Sequence, residues 1–289
     1  MTLRVFPRRT SATPTDALAF VGDPPLPFAR PGPRKVDEVH VSCVFTWDKP
    51  EAERLAEAWG ALGYAVRLGG PAFGTPAGEF TPGMYLQDGY TITSRGCIRN
   101  CPFCFVPSRE GRLRTLDIQP GWDVLDNNLL ACPRSHIEAV LDMLETQPQP
   151  ARFSGGIDAR LCRPWFAKRL AGMRLDILYT AWDSPGQMAD AERCIGMLRE
   201  AGLRQRQVGC YILMGHGNDT PDQAESRAEC VLEFGGMPFA MYYRGLDERE
   251  PHIPDAWGPL IRKWSRPAAI FAKEPGTSPV PLFTEKEAM

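Results

Sequence analysis

No apolar stretch of this sequence is long enough to span a bilayer, and no charged segment followed by an apolar run opens it. No membrane partner is expected, and a cytoplasmic location is. An excess of either charge is missing too: 33 Lys and Arg stand against 35 Asp and Glu, a formal net charge of −2. The sequence pI is near 6.1. Such a balance gives no bulk field toward nucleic acid and leaves only local basic patches to attract it. A disulfide framework is also absent. The 9 cysteines are an odd number, and Cys43, Cys132, Cys162, Cys194, Cys210 and Cys230 are scattered without close partners. Internal repeats and low-complexity blocks are lacking. With 43% hydrophobic and 24% charged residues over 289 positions, the composition fits one large core with an appendage and excludes disordered and fibrous classes.

Residues 1–35 carry Pro14, Pro24, Pro25, Pro27, Pro31 and Pro33 with little periodicity and read as an irregular leader. An apolar, β-branched run over 39–45 predicts a strand. Leu55, Ala58, Trp59 and Leu62 recur at helical spacing within 50–63, and 65–68 reads as a second strand. Together they define a small α/β lobe over 36–88. From Tyr90 strand and helix patterns alternate, which implies parallel strands joined by helices. Strands are expected near 90–94, 124–127, 151–155, 175–181, 207–214 and 238–243, with helices over 135–146, 163–172, 186–202 and 221–235. Six βα units are too few for a closed eight-stranded barrel. The expected fold is therefore α/β: a partial (β/α)6 barrel over 89–250, with functional residues in the loops after the strands. Residues 251–289 are read as a C-terminal helix and irregular tail.

The remaining cysteines fall on one loop. Ser94-Arg95-Gly96-Cys97-Ile98-Arg99-Asn100-Cys101-Pro102-Phe103-Cys104 places three thiols at CxxxCxxC spacing directly after a strand. A closed zinc site wants four ligands, and the nearest later candidates, Cys132 and His136, are distant in sequence. An iron–sulfur cube also normally takes four cysteines, so a three-cysteine loop leaves one iron open to an exchangeable ligand. The alternative is a zinc knuckle with a remote fourth ligand.

CxxxCxxC with an aromatic before its last cysteine, after the first strand of a βα series, resembles the radical S-adenosylmethionine (SAM) superfamily. The resemblance covers roughly residues 90–244. It implies that Cys97, Cys101 and Cys104 hold a 4Fe-4S cluster whose open iron binds SAM, and that one electron cleaves SAM to methionine and a 5′-deoxyadenosyl radical. Phe103 is then placed to meet the adenine. Asn127 or Asn128 would contact the SAM amino group, or would instead cap a helix or close an Asx turn. Gly155-Gly156-Ile157-Asp158-Ala159-Arg160 is similar to the GxDAR-type segment of related proteins. Asp158 and Arg160 would face the cavity, Arg160 on the SAM carboxylate, or the two would simply pair with each other. Thr180 and Asp183 are expected near ribose or substrate, and Met214 and Gly215 near adenine, with Trp182 read as core. His216 and Cys132 are the candidate catalytic residues, as acid–base and hydrogen donor; their bland readings are a solvated loop histidine and a buried small hydrophobe. Tyr242, Tyr243 and Arg244 would line the substrate side.

The N-terminal lobe is similar to a shortened cobalamin-binding domain, but the DxHxxG pattern is missing, so cobalamin is not expected. Methylthiotransferases add three N-terminal cysteines and an RNA-binding tail domain, neither of which is seen here. The resemblance thus implies an enzyme acting on a compact substrate: a nucleobase, nucleoside or amino-acid adduct, with DNA or RNA among the candidates and phage-type hypermodification of a DNA base included. A flavodoxin or ferredoxin would supply electrons. The alternatives are a methyl- or methylthiotransferase on tRNA or protein, and a non-enzymatic metal-binding module.

Overall fold

The computed structural model describes residues 1–25, 36–75, 79–245, 253–266 and 270. The chain opens with strand β1 (Thr2–Phe6), whose Leu3 and Val5 are fully buried, followed by β2 (Ala19–Val21) and β3 (Glu38–Ser42). Helix α1 (Lys49–Gly60) starts with Pro50 in its first turn and buries Ala52, Leu55 and Trp59. Strand β4 (Val66–Gly69) completes a parallel sheet of order β2-β1-β3-β4. This corrects the expected irregular leader. Its first residues form an inner strand, because a short apolar run outweighs the prolines that follow, and β2 lies within it as well. Arg4, buried in that strand, donates to Asp16 and to the Gly83 and Met84 carbonyls. Residues 26–35 of the expected leader lie outside the described residues.

The larger sheet begins with β5 (Tyr90–Thr91). The continuous strand expected over 90–94 is split. Strand β6 (Ser94–Arg95) leaves the sheet and pairs antiparallel with β7 (Arg114–Thr115), with the short helix α2 (Val106–Arg109) between them. The cysteine loop is therefore the arm of a hairpin. The sheet continues through β8 (Asp123–Val124), α3 (Arg134–Glu145), β9 (Ala151–Phe153), α4 (Pro164–Ala171), β10 (Leu175–Ala181) and α5 (Met188–Glu200). It ends with β11 (Val208–Met214), α6 (Pro221–Glu233), β12 (Met237–Tyr242) and α7 (Gly258–Trp264). Strand β8 stops at Val124, short of the expected 127, because the acid and amides that follow bond to the hairpin.

Strand order is β12-β11-β10-β9-β8-β5, all parallel and never reversing. With right-handed connections an unreversed order puts every helix on one face. Accordingly Ile137, Val140, Leu141 and Leu144 of α3, Phe166 and Leu170 of α4, Ile195 and Leu198 of α5 and Val231 of α6 share a single core. Trp264 of α7 joins it. The opposite face carries Tyr179 stacked on Tyr211 (4.3 Å between centroids), with Phe239 edge-on to both. Among the described residues the edge strands β5 and β12 do not pair, so the sheet is open. The tail beyond 270 lies outside the described residues. Among the described residues no helix is long and apolar enough to cross a membrane.

Candidate functional site

The divergence of β6 has a local cause. The Asp126 carboxylate, 1% exposed, accepts from Thr93 N, Thr93 Oγ1 and Ser94 Oγ, each at 2.6 Å. One buried acid thus pins the turn between β5 and β6. Asn127 Oδ1 accepts from Gly96 N at 2.9 Å. Gly96 itself is required: its φ is +79°, and a Cβ there would run into the Arg112 carbonyl. Strand pairing and these side chains fix where the loop leaves the sheet.

The loop then meets the segment after β9. Asp158, whose side chain is 6% exposed, accepts from Arg99 Nε at 3.0 Å and from Arg160 Nε and Nη2 at 2.6 and 3.1 Å. Burial opposes its ionisation, but the two guanidiniums outweigh it and hold the carboxyl below its ordinary range. Asn128 Nδ2 lies 3.4 Å from both Asp158 Oδ2 and Cys97 Sγ, and Arg99 N donates to Cys97 Sγ at 3.3 Å. Arg160 and Cys101 line the same cleft side by side. Two cations and an amide therefore surround the first two cysteines. Among the described residues Asn128 Oδ1 is buried without a partner. Cys104 is close enough to feel its neighbours: burial, then the Cys101 and Cys97 charges, raise its pKa.

Beside this junction lies a cleft of about 620 Å³, lined by Cys101, Pro102, Phe103 and Arg160 on one side and by residues 183–187, His216, Asp219 and Arg227 on the other. All lie beyond the carboxyl ends of parallel strands, where open α/β sheets bind ligands. Gln187 Oε1 accepts from Asp183 N (2.8 Å) and Ser184 N (3.2 Å), holding the loop after β10. Arg227 forks onto Asp219 at 2.8 and 2.9 Å and donates to the Leu213 carbonyl; both side chains are under 10% exposed. His216 stands between Phe103 (5.6 Å) and Tyr243 (4.7 Å), edge-on to both.

Among the described residues Asp183 has no such fork. Desolvation pushes its pKa from 3.8 up to about 6, against the pull of Arg227 and Arg160. A raised carboxyl pKa favours the fold while the group is protonated, and that stability is lost as pH rises from about 4 through 6. Asp183→Asn is expected to be more stable than wild type by about 2–3 kcal/mol near pH 8, with the gap closing near pH 4. Denaturant titrations at the two pH values check it; a gap that does not change with pH would contradict this environment.

The structure brings Phe103, Asn128, Asp158, Arg160, Asp183 and His216 together around the cysteine loop and cleft. Asn127 holds the loop rather than facing the cleft, and Asn128 makes no side-chain cap to the turn after it. Thr180 and Met214 are displaced from their expected place. Both are wholly buried, Met214 in the core shared with the helices and Thr180 donating to the Ile157 carbonyl. Strand alternation decides this: the cleft lies past the strand ends, while these side chains point at helices. Gly215 is approached by the Tyr242 ring, which a Cβ would strike, and its N–H donates to Asp219. Cys132 is buried against Ser94, and burial raises its pKa. Arg99, Gln187, Asp219 and Arg227 were not expected. Only the capping spacing of Ser184 to Gln187 could have flagged one of them.

Among the described residues no three His, Cys, Asp or Glu side chains stand close enough to hold one ion. His136 instead meets the Thr93 hydroxyl at 3.3 Å. Three cysteines on one loop, with two N–H donors to Cys97 Sγ, are a donor set that thiolate-bound iron can use. The chain matches no protein-family model and no curated protein.

Proposed function

We propose that this chain is a radical SAM enzyme built on an open partial barrel, with Cys97, Cys101 and Cys104 each holding one iron of a 4Fe-4S cluster. The observation that carries the reading is the junction of the three-cysteine loop, Asp158 and its two arginines at the edge of a cleft large enough for a cofactor. The cluster, when bound, supplies the electron that breaks a carbon–sulfur bond of SAM.

The chain's own residues prepare that chemistry. Arg99 N and Asn128 Nδ2 donate to Cys97 Sγ and orient that sulfur, and Arg160 lies beside Cys101 at the edge of the cleft. Asp158 fixes both guanidiniums, leaving Arg160 Nη1 without a partner on Asp158 and available to a carboxylate in the cleft. Phe103 and Pro102 give the cysteine side an apolar wall that limits water.

Anaerobic reconstitution with iron and sulfide, then dithionite and SAM, is expected to yield 5′-deoxyadenosine from wild type and none from Cys101→Ala. S-adenosylhomocysteine in its place would move the protein to the transferases. A SAM-inert protein would overturn the reading.

A further inference from the structure

The cysteine hairpin carries a charge that the rest of the chain does not. Residues 94–115 hold five arginines against one acid, Glu110, a net charge of +4 in a chain whose total is −2. Arg95 and Arg114 stand opposite each other across β6 and β7, where like charges repel. Glu110 lies 3.6 Å from Arg114, and its charge also acts on Arg95 and Arg109, so one carboxylate serves three guanidiniums. Arg112, in the same turn, is exposed. Cys97 N donates to the Gly111 carbonyl at 3.4 Å, which sets the start of the cysteine loop against that turn. Ile98, next in the chain, is 56% exposed, more than any other large hydrophobic side chain among the described residues. An apolar tip thus stands beside the arginines, on the cysteine loop itself.

This surface is separate from the cleft. Among the described residues that line the cleft, Ile98, Arg109, Arg112 and Arg114 do not figure, so a partner seated here approaches the cysteines without entering it. An apolar centre with an arginine rim is the make-up of a protein interface, and transient redox contacts are the small ones. A nucleic-acid backbone would match the arginines but makes no use of Ile98. We propose that this face of the hairpin docks an acidic one-electron carrier protein, whose carboxylates meet Arg109, Arg112 and Arg114 around Ile98. A carrier flavin in its anionic hydroquinone form then gives one electron to the cluster and becomes the neutral semiquinone; no proton moves. The rest of the chain carries −6, which repels an acidic carrier elsewhere and turns it toward the hairpin. The inference rests on the reading above for where the electron goes, not for the docking.

Two measurements separate docking from chemistry. In the first, isotope-labelled oxidised flavodoxin, a small acidic flavoprotein, is titrated with the full chain before reconstitution and followed by nuclear magnetic resonance. Signals from its acidic face are expected to shift at about 0.1 M salt and to stop shifting near about 1 M, as the screening length falls from about 10 to about 3 Å. Arg112→Glu should weaken binding about tenfold by reversing a rim charge, and Ile98→Ser should weaken it through the apolar centre. In the second, the reconstituted chain with SAM receives electrons either from flavodoxin hydroquinone or from photoreduced 5-deazariboflavin, which is small and uncharged. Arg112→Glu should slow 5′-deoxyadenosine formation about tenfold with flavodoxin and leave it unchanged with deazariboflavin. Flavodoxin that does not bind, or that binds the folded variants like wild type, would overturn the proposal. So would a single-stranded oligodeoxynucleotide that binds through Arg112 where flavodoxin does not. A chain that yields 5′-deoxyadenosine with deazariboflavin yet docks no flavodoxin loses this inference alone; one that docks flavodoxin yet takes up no cluster loses the enzyme reading alone.

Discussion

Asp158→Ala is expected to lower folding stability by about 3 kcal/mol and to abolish iron uptake on reconstitution. Removing one partner of a buried ion pair leaves the other charge uncompensated, and here two guanidiniums are left. Arg99 and Arg160, each about a third exposed, are held on one carboxylate that is 6% exposed. Without it they repel one another beside the thiols they now flank, and Asn128 loses its second partner. Their partial exposure places the loss at the lower end of the range for buried pairs. Denaturant unfolding of the unreconstituted chain gives the stability, and iron and sulfide assays after reconstitution give the uptake. Asp158→Asn, which keeps the shape but loses the charge, should fall between. A variant with wild-type unfolding and wild-type iron would show that the junction carries neither role.

The second large effect is at Asp126. Its carboxylate is almost fully enclosed and takes three short hydrogen bonds from two consecutive residues. A hydrogen bond to a charged group contributes about 1.5–3 kcal/mol, and losing the acceptor also strands the buried Thr93 N–H. Asp126→Ala is therefore expected to cost about 4 kcal/mol and to release the start of the cysteine hairpin. Hydrogen exchange should show it as lost protection at Thr93, Ser94 and Gly96, with the core of β10 and β11 retained wherever the chain stays folded. Equal loss of protection throughout would mean that Asp126 supports the sheet in general rather than the hairpin.

The sequence made some features plain and hid others for physical reasons. Strand β10 was read at its observed bounds, because a buried parallel strand flanked by helices is an apolar run ending in turn residues. The three cysteines stand out by spacing alone, since residues on one loop need no fold to bring them together. Strand β1 was missed because Pro14 and the prolines after it colour the whole segment, although Leu3 and Val5 are as buried as any residue in the protein. The split after Thr91 was invisible because its cause, Asp126, lies on the next βα unit. Thr180 and Met214 were placed in the cleft by nearness to a strand end. One residue of alternation sends such side chains to the opposite face, and sequence position does not carry that phase.

The most direct test of the central claim is electron paramagnetic resonance of the anaerobically reconstituted, dithionite-reduced protein with and without SAM. A 4Fe-4S cluster on Cys97, Cys101 and Cys104 with one open iron predicts a reduced-cluster signal that changes when SAM is added and is lost in Cys101→Ala. A colourless, zinc-loaded protein that gives no signal and is unaffected by SAM would contradict it.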